Sequence, residues 1–229
     1  MKCLASALAL ALALAPVGAC QEPVPPEQWQ LGQERAVAVR VTPPRIVAGQ
    51  HALIDGLLAH AVGPTGVTAP GDVVALDTPL ELAVNFIFDH WEVIAPDEAT
   101  LVATRTQLGL GAGEPVPFEL TVYFGTVAAP IITQKRMWFG ENVANPALPP
   151  ILIAGATPGA ALVLPRATDL SLRADAAQVS WLTSCGTLRD SQEPDAILRL
   201  DVPCTGELVV VIRTREGGTV WQVWPLGTE

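Results

Sequence analysis

The feature that most restricts this chain is its punctuation. From Arg35 onward, short runs rich in Val, Ile, Leu, Thr and aromatics alternate with Pro and Gly clusters such as Gly63-Pro64-Thr65-Gly66 and the stretch 109–117. β-branched and aromatic residues favour extended backbone and Gly and Pro interrupt it, so the pattern specifies short strands joined by turns. The candidate strands are 36–41, 52–60, 80–88, 91–94, 99–104, 118–124 and 131–139, then 161–164, 170–174, 179–183, 196–200, 208–213 and 220–224. No stretch joins helical period to caps. The one competitor, 52–61, places Leu53, Leu57, Leu58 and Ala61 at helical spacing, but Gly56 in its middle favours a strand.

The two sets of strands are separated by 142–150, where Pro146, Pro149 and Pro150 mark a joint that few contacts should cross. About seven short strands per set is the count of a β-sandwich. A weak echo, Pro43-Pro44-Arg45-Ile46-Val47-Ala48-Gly49 against Pro149-Pro150-Ile151-Leu152-Ile153-Ala154-Gly155, points to two related units. Glu216-Gly217-Gly218 supplies the positive φ that a hairpin between the last two strands needs. The expected fold is all-β, two sandwiches in tandem at 34–145 and 146–229, behind a leader at 1–19 and a tether at 20–33.

The leader has a charged start at Lys2, an apolar core over 4–15 and small residues before Cys20, the form of a secretory signal. It is too short to span a bilayer, which takes about 20 apolar residues. Val17-Gly18-Ala19-Cys20 resembles a bacterial lipoprotein signal. The resemblance implies cleavage before Cys20 and acyl chains on its sulfur and new amino group. Each buried methylene contributes about 0.8 kcal/mol and two chains already anchor stably, so such a protein stays on its membrane. The alternative is ordinary secretion with Cys20 left as a free thiol. Gln21 stands where an Asp would imply retention at the inner membrane, so the resemblance favours the outer one. Residues 21–33, with Pro23, Pro25, Pro26 and Trp29, read as an extended, solvated spacer.

If Cys3 leaves with the leader and Cys20 carries lipid, as the lipoprotein resemblance implies, Cys185 and Cys204 are left as a pair for a disulfide in an oxidising compartment. Closing that loop stabilises the fold by about 3 kcal/mol on the chain-entropy account.

Val179-Ser180-Trp181-Leu182-Thr183, the Cys185-Gly186 turn, the strand 208–213, Arg215-Glu216-Gly217-Gly218 and a last aromatic strand resemble a bacterial immunoglobulin-like or PKD-like domain. The resemblance implies that Trp181, on the third strand, packs in the core and that the last two strands form a hairpin. The start of the first unit, Arg40-Val41-Thr42-Pro43-Pro44, is similar to the start of many such domains in surface lipoproteins.

The formal charge of −10 opposes phosphate, so nucleic acid is not an expected partner. His51, His60 and His90 and the serines Ser171, Ser180, Ser184 and Ser191 form no nucleophile elbow, and no zinc-spaced or phosphate-loop motif occurs, so no cofactor, metal or enzymatic activity is expected. Asp89-His90-Trp91-Glu92 is the densest polar cluster beside an aromatic, and extended backbone would put His90 and Glu92 on one face. Asp190, Glu193, Asp195 and Asp201 offer oxygens without the order of a calcium loop and read as solvated turns. Among the tryptophans, Trp181 and Trp221 are assigned to cores, leaving Trp91, Trp138 and Trp224 for a ligand or an interface. The expected function is a lipid-anchored, non-enzymatic envelope protein that serves adhesion, scaffolding or protein–protein interaction. The alternative is a carbohydrate-binding or hydrolytic protein using exposed tryptophans.

Overall fold

The computed structural model describes residues 27–76, 80 and 83–229. The lipidation motif with Cys20, and the tether up to Pro26, lie outside the described residues. The first unit holds β1 (Arg35–Thr42), β2 (Arg45–Ile46), β3 (His51–Ala59), β4 (Gly66–Thr68), β5 (Asp72–Ala75), β6 (Val84–Ile87), β7 (His90–Ile94), α1 (Glu98–Leu108), β8 (Val116–Thr126) and β9 (Ala129–Phe139). Its sheets run β1-β3-β7-β6, with β4 beside β3, and β2-β9-β8-β5. The second unit holds β10 (Ile151–Ile153), β11 (Leu162–Leu164), β12 (Asp169–Ala174), β13 (Val179–Thr183), β14 (Thr187–Arg189), β15 (Asp195–Arg199), β16 (Thr205–Arg213) and β17 (Thr219–Thr228). Its sheets run β10-β12-β15-β14 and β11-β17-β16-β13.

The two orders superimpose strand for strand. In each unit an opening strand pairs antiparallel with the first sheet (β1 on β3, β10 on β12), and a short strand then crosses over to pair parallel with the last strand (β2 on β9, β11 on β17). The echo in the sequence is not the trace of this repeat. Its first copy falls on β2 and its second on β10, which hold different places in the shared order.

Alternation builds the cores. In β12 every second residue is buried, and Leu170, Leu172 and Ala174 meet Trp181 inside the second sandwich. Trp181 is fully buried on β13, and its indole N–H donates to the Glu193 carbonyl at 3.1 Å, so the ring leaves no polar atom unsatisfied. The first core is built on Phe118, Phe124, Phe139 and Met137 from β8 and β9. Gly56 sits in β3 because a Cβ there would meet Phe124 Cζ at 2.3 Å. The residue that argued against a helix is thus a packing requirement of the strand. Cys185 and Cys204 form the disulfide, with Cα atoms 5.9 Å apart, joining the end of β13 to the approach to its neighbour β16.

Three expectations fail. Residues 99–104 are not a strand but the body of α1. Asp97 caps it by accepting from the Thr100 N–H at 2.8 Å, and Gly109 ends it at φ 68°. These caps outweigh the Thr and Val that favour a strand. The tether does not stay solvated up to Gln33: the Leu31 N–H donates to Thr183 O at 3.0 Å, the Thr183 N–H to Trp29 O at 2.9 Å, and Leu31 is buried. The joint is also crossed by many contacts. Asn145 Nδ2 donates to Val41 O at 2.9 Å while its Oδ1 accepts from the Thr219 N–H at 2.8 Å, so one linker side chain ties both sandwiches.

Candidate functional site

Two surfaces carry features that folding alone does not demand: the seam between the sandwiches and a hairpin at the edge of the first. The seam begins as apolar packing. Leu208, Val210 and Ile212 of β16 point into the second core, and Val209 and Val211 point out of it, onto Val37, Ala38, Leu57 and Ala59 of the first unit. A bulge between Ala36 and Ala38 interrupts the β1 register beside this patch, where consecutive residues Val37 and Ala38 are both buried. Antiparallel sheets with one wet face alternate, so the unbroken run Leu208-Val209-Val210-Val211-Ile212 is the signature of a strand covered on both sides. That signal was available in the sequence.

The rim of the seam is aromatic and cationic. Arg40 lies 4.2 Å over Trp221 of the other unit and makes a two-pronged pair with Asp55 at 3.0 and 2.5 Å. Arg45 lies 5.0 Å from the Trp138 ring and bonds Glu141 at 2.5 Å and the Glu216 carbonyl at 3.2 Å. Trp138 in turn rests on the β16–β17 turn, where a Cβ on Gly217 would come within 2.3 Å of its ring. Gly217 holds φ 84°, so the turn needs glycine twice over, for its backbone and for the indole above it.

Beside Trp138 opens a cleft of about 270 Å³ walled by both units, with Lys135, Arg213, Gln178 and Thr219 among its lining residues. Lys135 Nζ donates to Gly217 O at 2.7 Å and Thr219 Oγ1 at 2.9 Å. Arg213 donates to Ser180 Oγ at 2.9 Å and Val37 O at 3.2 Å. Burial, and secondarily the charge of Arg213, pushes Lys135 down to about 8, and burial lowers Arg213. Both are cations held partly out of water, and among the described residues their acceptors are neutral.

The second surface is the β6–β7 hairpin. Ile87 pairs with His90, so Phe88 and Asp89 form a two-residue turn at φ 46° and 70°. Such turns normally take Asn or Gly, and a bulky ring in this conformation is unfavourable by about 1 kcal/mol or more. Phe88 is 91% exposed there, Phe86 is 59% exposed, and Phe86 meets Trp91 with ring centroids 5.3 Å apart. An aromatic held in a strained turn and turned to water has no role in the core.

The residues singled out in the sequence scatter. Trp91 is on the hairpin and Trp138 on the seam. Trp224 and Trp221 exchange their expected places: Trp224, 4% exposed, packs in the second core, and Trp221 faces the seam. Period-two geometry put them on opposite faces correctly; which face met the core depended on the partner sandwich. His90 does not join Glu92. Its Nδ1 lies 3.2 Å from Phe88 O, whereas Glu92, 6% exposed, is bonded by His51 at 3.1 Å, a partner from β3 that local spacing could not supply. His60 pairs with Glu34 at 3.0 Å. Asp195 pairs with Arg173 at 3.8 Å and Asp201 with Arg199 at 2.7 Å. Among the described residues no group of three or more His, Cys, Asp or Glu is placed to hold a metal ion.

No family model matches the chain, and no curated protein matches it. Among solved structures it is similar to the fibronectin(III)-like modules of Clostridium thermocellum CbhA, at 10% identity over 84% of this chain and 94% of that one, TM-score 0.28. It is also similar to the tandem Ig repeats of Dlar, at 12% identity over 86% and 98%, TM-score 0.28. A third is the Bacteroides ovatus mixed-linkage glucan utilization locus SGBP-B in complex with a mixed-linkage heptasaccharide, at 7% identity over 86% and 45%, TM-score 0.19. The chain is a tandem of Ig-like β-sandwiches. What establishes this is the strand order found in both halves.

Proposed function

We propose that this protein is a lipid-anchored, non-enzymatic component of a bacterial outer membrane, which engages an envelope protein partner through the aromatic hairpin of its first sandwich. The observation that carries the partner reading is Phe88, almost wholly exposed in a left-handed turn that opposes it. Strain at an exposed ring is retained when the ring is used. Aromatic anchors of this kind supply much of the energy of small protein interfaces. Val17-Gly18-Ala19-Cys20 supports the anchor, and the docked seam supports a carrier in which the two sandwiches act as one body.

Metabolic labelling with a palmitate analogue tests the anchor: wild type takes up label and pellets with membranes, and Cys20→Ser does neither. Unlabelled, soluble wild type would refute it. For the hairpin, Phe88→Asn is compatible with the turn and should keep or slightly raise stability while abolishing in-cell crosslinking to the partner. Crosslinking equal to wild type would remove the hairpin from the account.

A second reading, carbohydrate binding, is favoured by the Phe86–Trp91 pair, since partly exposed rings offer an apolar face to a sugar. Retention on a glycan array that is lost in Phe86→Ser would select it over the protein partner.

A further inference from the structure

We propose that the cleft between the sandwiches binds a compact oxyanion, a sulfate, phosphate or carboxylate group, held between Lys135 of β9 and Arg213 of β16. The two side chains come from different units and line the same opening of about 270 Å³. Their acceptors, Gly217 O, Thr219 Oγ1, Ser180 Oγ and Val37 O, are all uncharged. An ammonium has three donors and a guanidinium five, so N–H groups remain on both.

The neighbouring cations show what is missing. Arg40 has Asp55, Arg45 has Glu141 and Arg136, beside Lys135 on β9, has Glu119. Glu216, on the turn that Lys135 touches, is held by its own backbone N–H and by Thr214, with Arg45 and Arg215 as the cations that act on it. Among the described residues neither Lys135 nor Arg213 has a carboxylate, although the chain carries 23 acids against 13 bases. Two like charges held partly out of water repel each other, and an anion between them replaces that repulsion with charge-assisted hydrogen bonds. Thr219 and Gln178 line the same opening with neutral polar groups. Because the occupant touches both units, it also strengthens their docking. This site is separate from the aromatic hairpin and stands without it.

The test uses the full protein as the cell produces it, isotope-labelled and purified in detergent, titrated with sodium sulfate, sodium phosphate and sodium glucuronate at ionic strength held constant with chloride. Saturable shifts of the Gly217, Thr219 and Gln178 amides are expected, with a midpoint in about the millimolar range. Lys135→Met and Arg213→Met should each weaken binding about tenfold or more, while Arg189→Gln, whose side chain pairs with Asp169 outside the cleft, leaves the midpoint unchanged. Saturation by the inorganic ions identifies a free anion as the occupant, and saturation by glucuronate alone identifies the acidic group of a glycan. If a methionine variant does not fold, the wild-type titration decides. Shifts that remain linear to about 50 mM for all three anions, or midpoints unaltered in folded methionine variants, overturn the site.

Discussion

The two sandwiches share one strand order and are held together differently. The second is the smaller, with a core around Trp181 and the Cys185–Cys204 disulfide across neighbouring strands. The first surrounds a phenylalanine core and adds β4 and the helix α1 between β7 and β8, and the tip of its β8–β9 hairpin leaves Val127 fully exposed. The two cores bury comparable sets of side chains, so the difference lies outside them: a crosslink closes the second unit, while the first carries its additions and its strained aromatic turn at the surface, where loops are free to acquire binding.

The comparison breaks most sharply in the cores. Trp181→Ala should cost about 3–5 kcal/mol and unfold the second sandwich first, and Phe118→Ala should cost a similar amount but start in the first. Hydrogen exchange resolved by strand reads which half opens; identical patterns in both variants would mean that the seam makes the molecule one cooperative unit. Replacing Cys185 and Cys204 together by Ser should remove about 3 kcal/mol, measured by denaturant unfolding, with the first sandwich's protection little changed.

The seam offers a smaller effect with a definite sign. Lys135 is held near 8 when folded and returns toward 10.5 when unfolded, so between those values the unfolded chain binds the extra proton. Stability therefore rises with pH across about 8 to 10.5, and below 8 the charged lysine is a constant penalty. Lys135→Met should flatten that rise in pH-dependent melting, and bound anion should move it to higher pH. Least of all, Asp97→Ala should fray α1 without touching the second unit. The Thr100 bonds hold the Asp97 carboxyl below its ordinary value, so its contribution is present above that value and fades as pH falls through the lowered one. Circular dichroism of helix content against pH checks this, and an unchanged acid limb in the variant would refute the cap's role.

Much of this was written in plain sight. Runs rich in β-branched and aromatic residues between Pro and Gly clusters located most of the strands, the Gly217 turn placed the final hairpin, and Trp181 lay where a third-strand tryptophan packs. The helix could also have been read from Asp97 and Gly109, whose capping preferences are local, had they been weighed above the β-branched residues between them. The short strands β2, β4, β5, β10 and β14 were missed because two to four residues cannot establish a period.

The amino-acid sequence by itself determined the strands, the turns, the cysteine pair and the acidic balance, since each follows from side-chain preference over a few neighbours. The tertiary structure alone decided that Trp221 rather than Trp224 leaves the core, that His51 rather than His90 meets Glu92, and that Lys135 and Arg213 share a cleft. Those pairings join residues far apart in the chain: strand pairing within a sheet brings His51 to Glu92, and the packing of one sandwich against the other fixes which face of β17 stays dry and which charges are left facing each other.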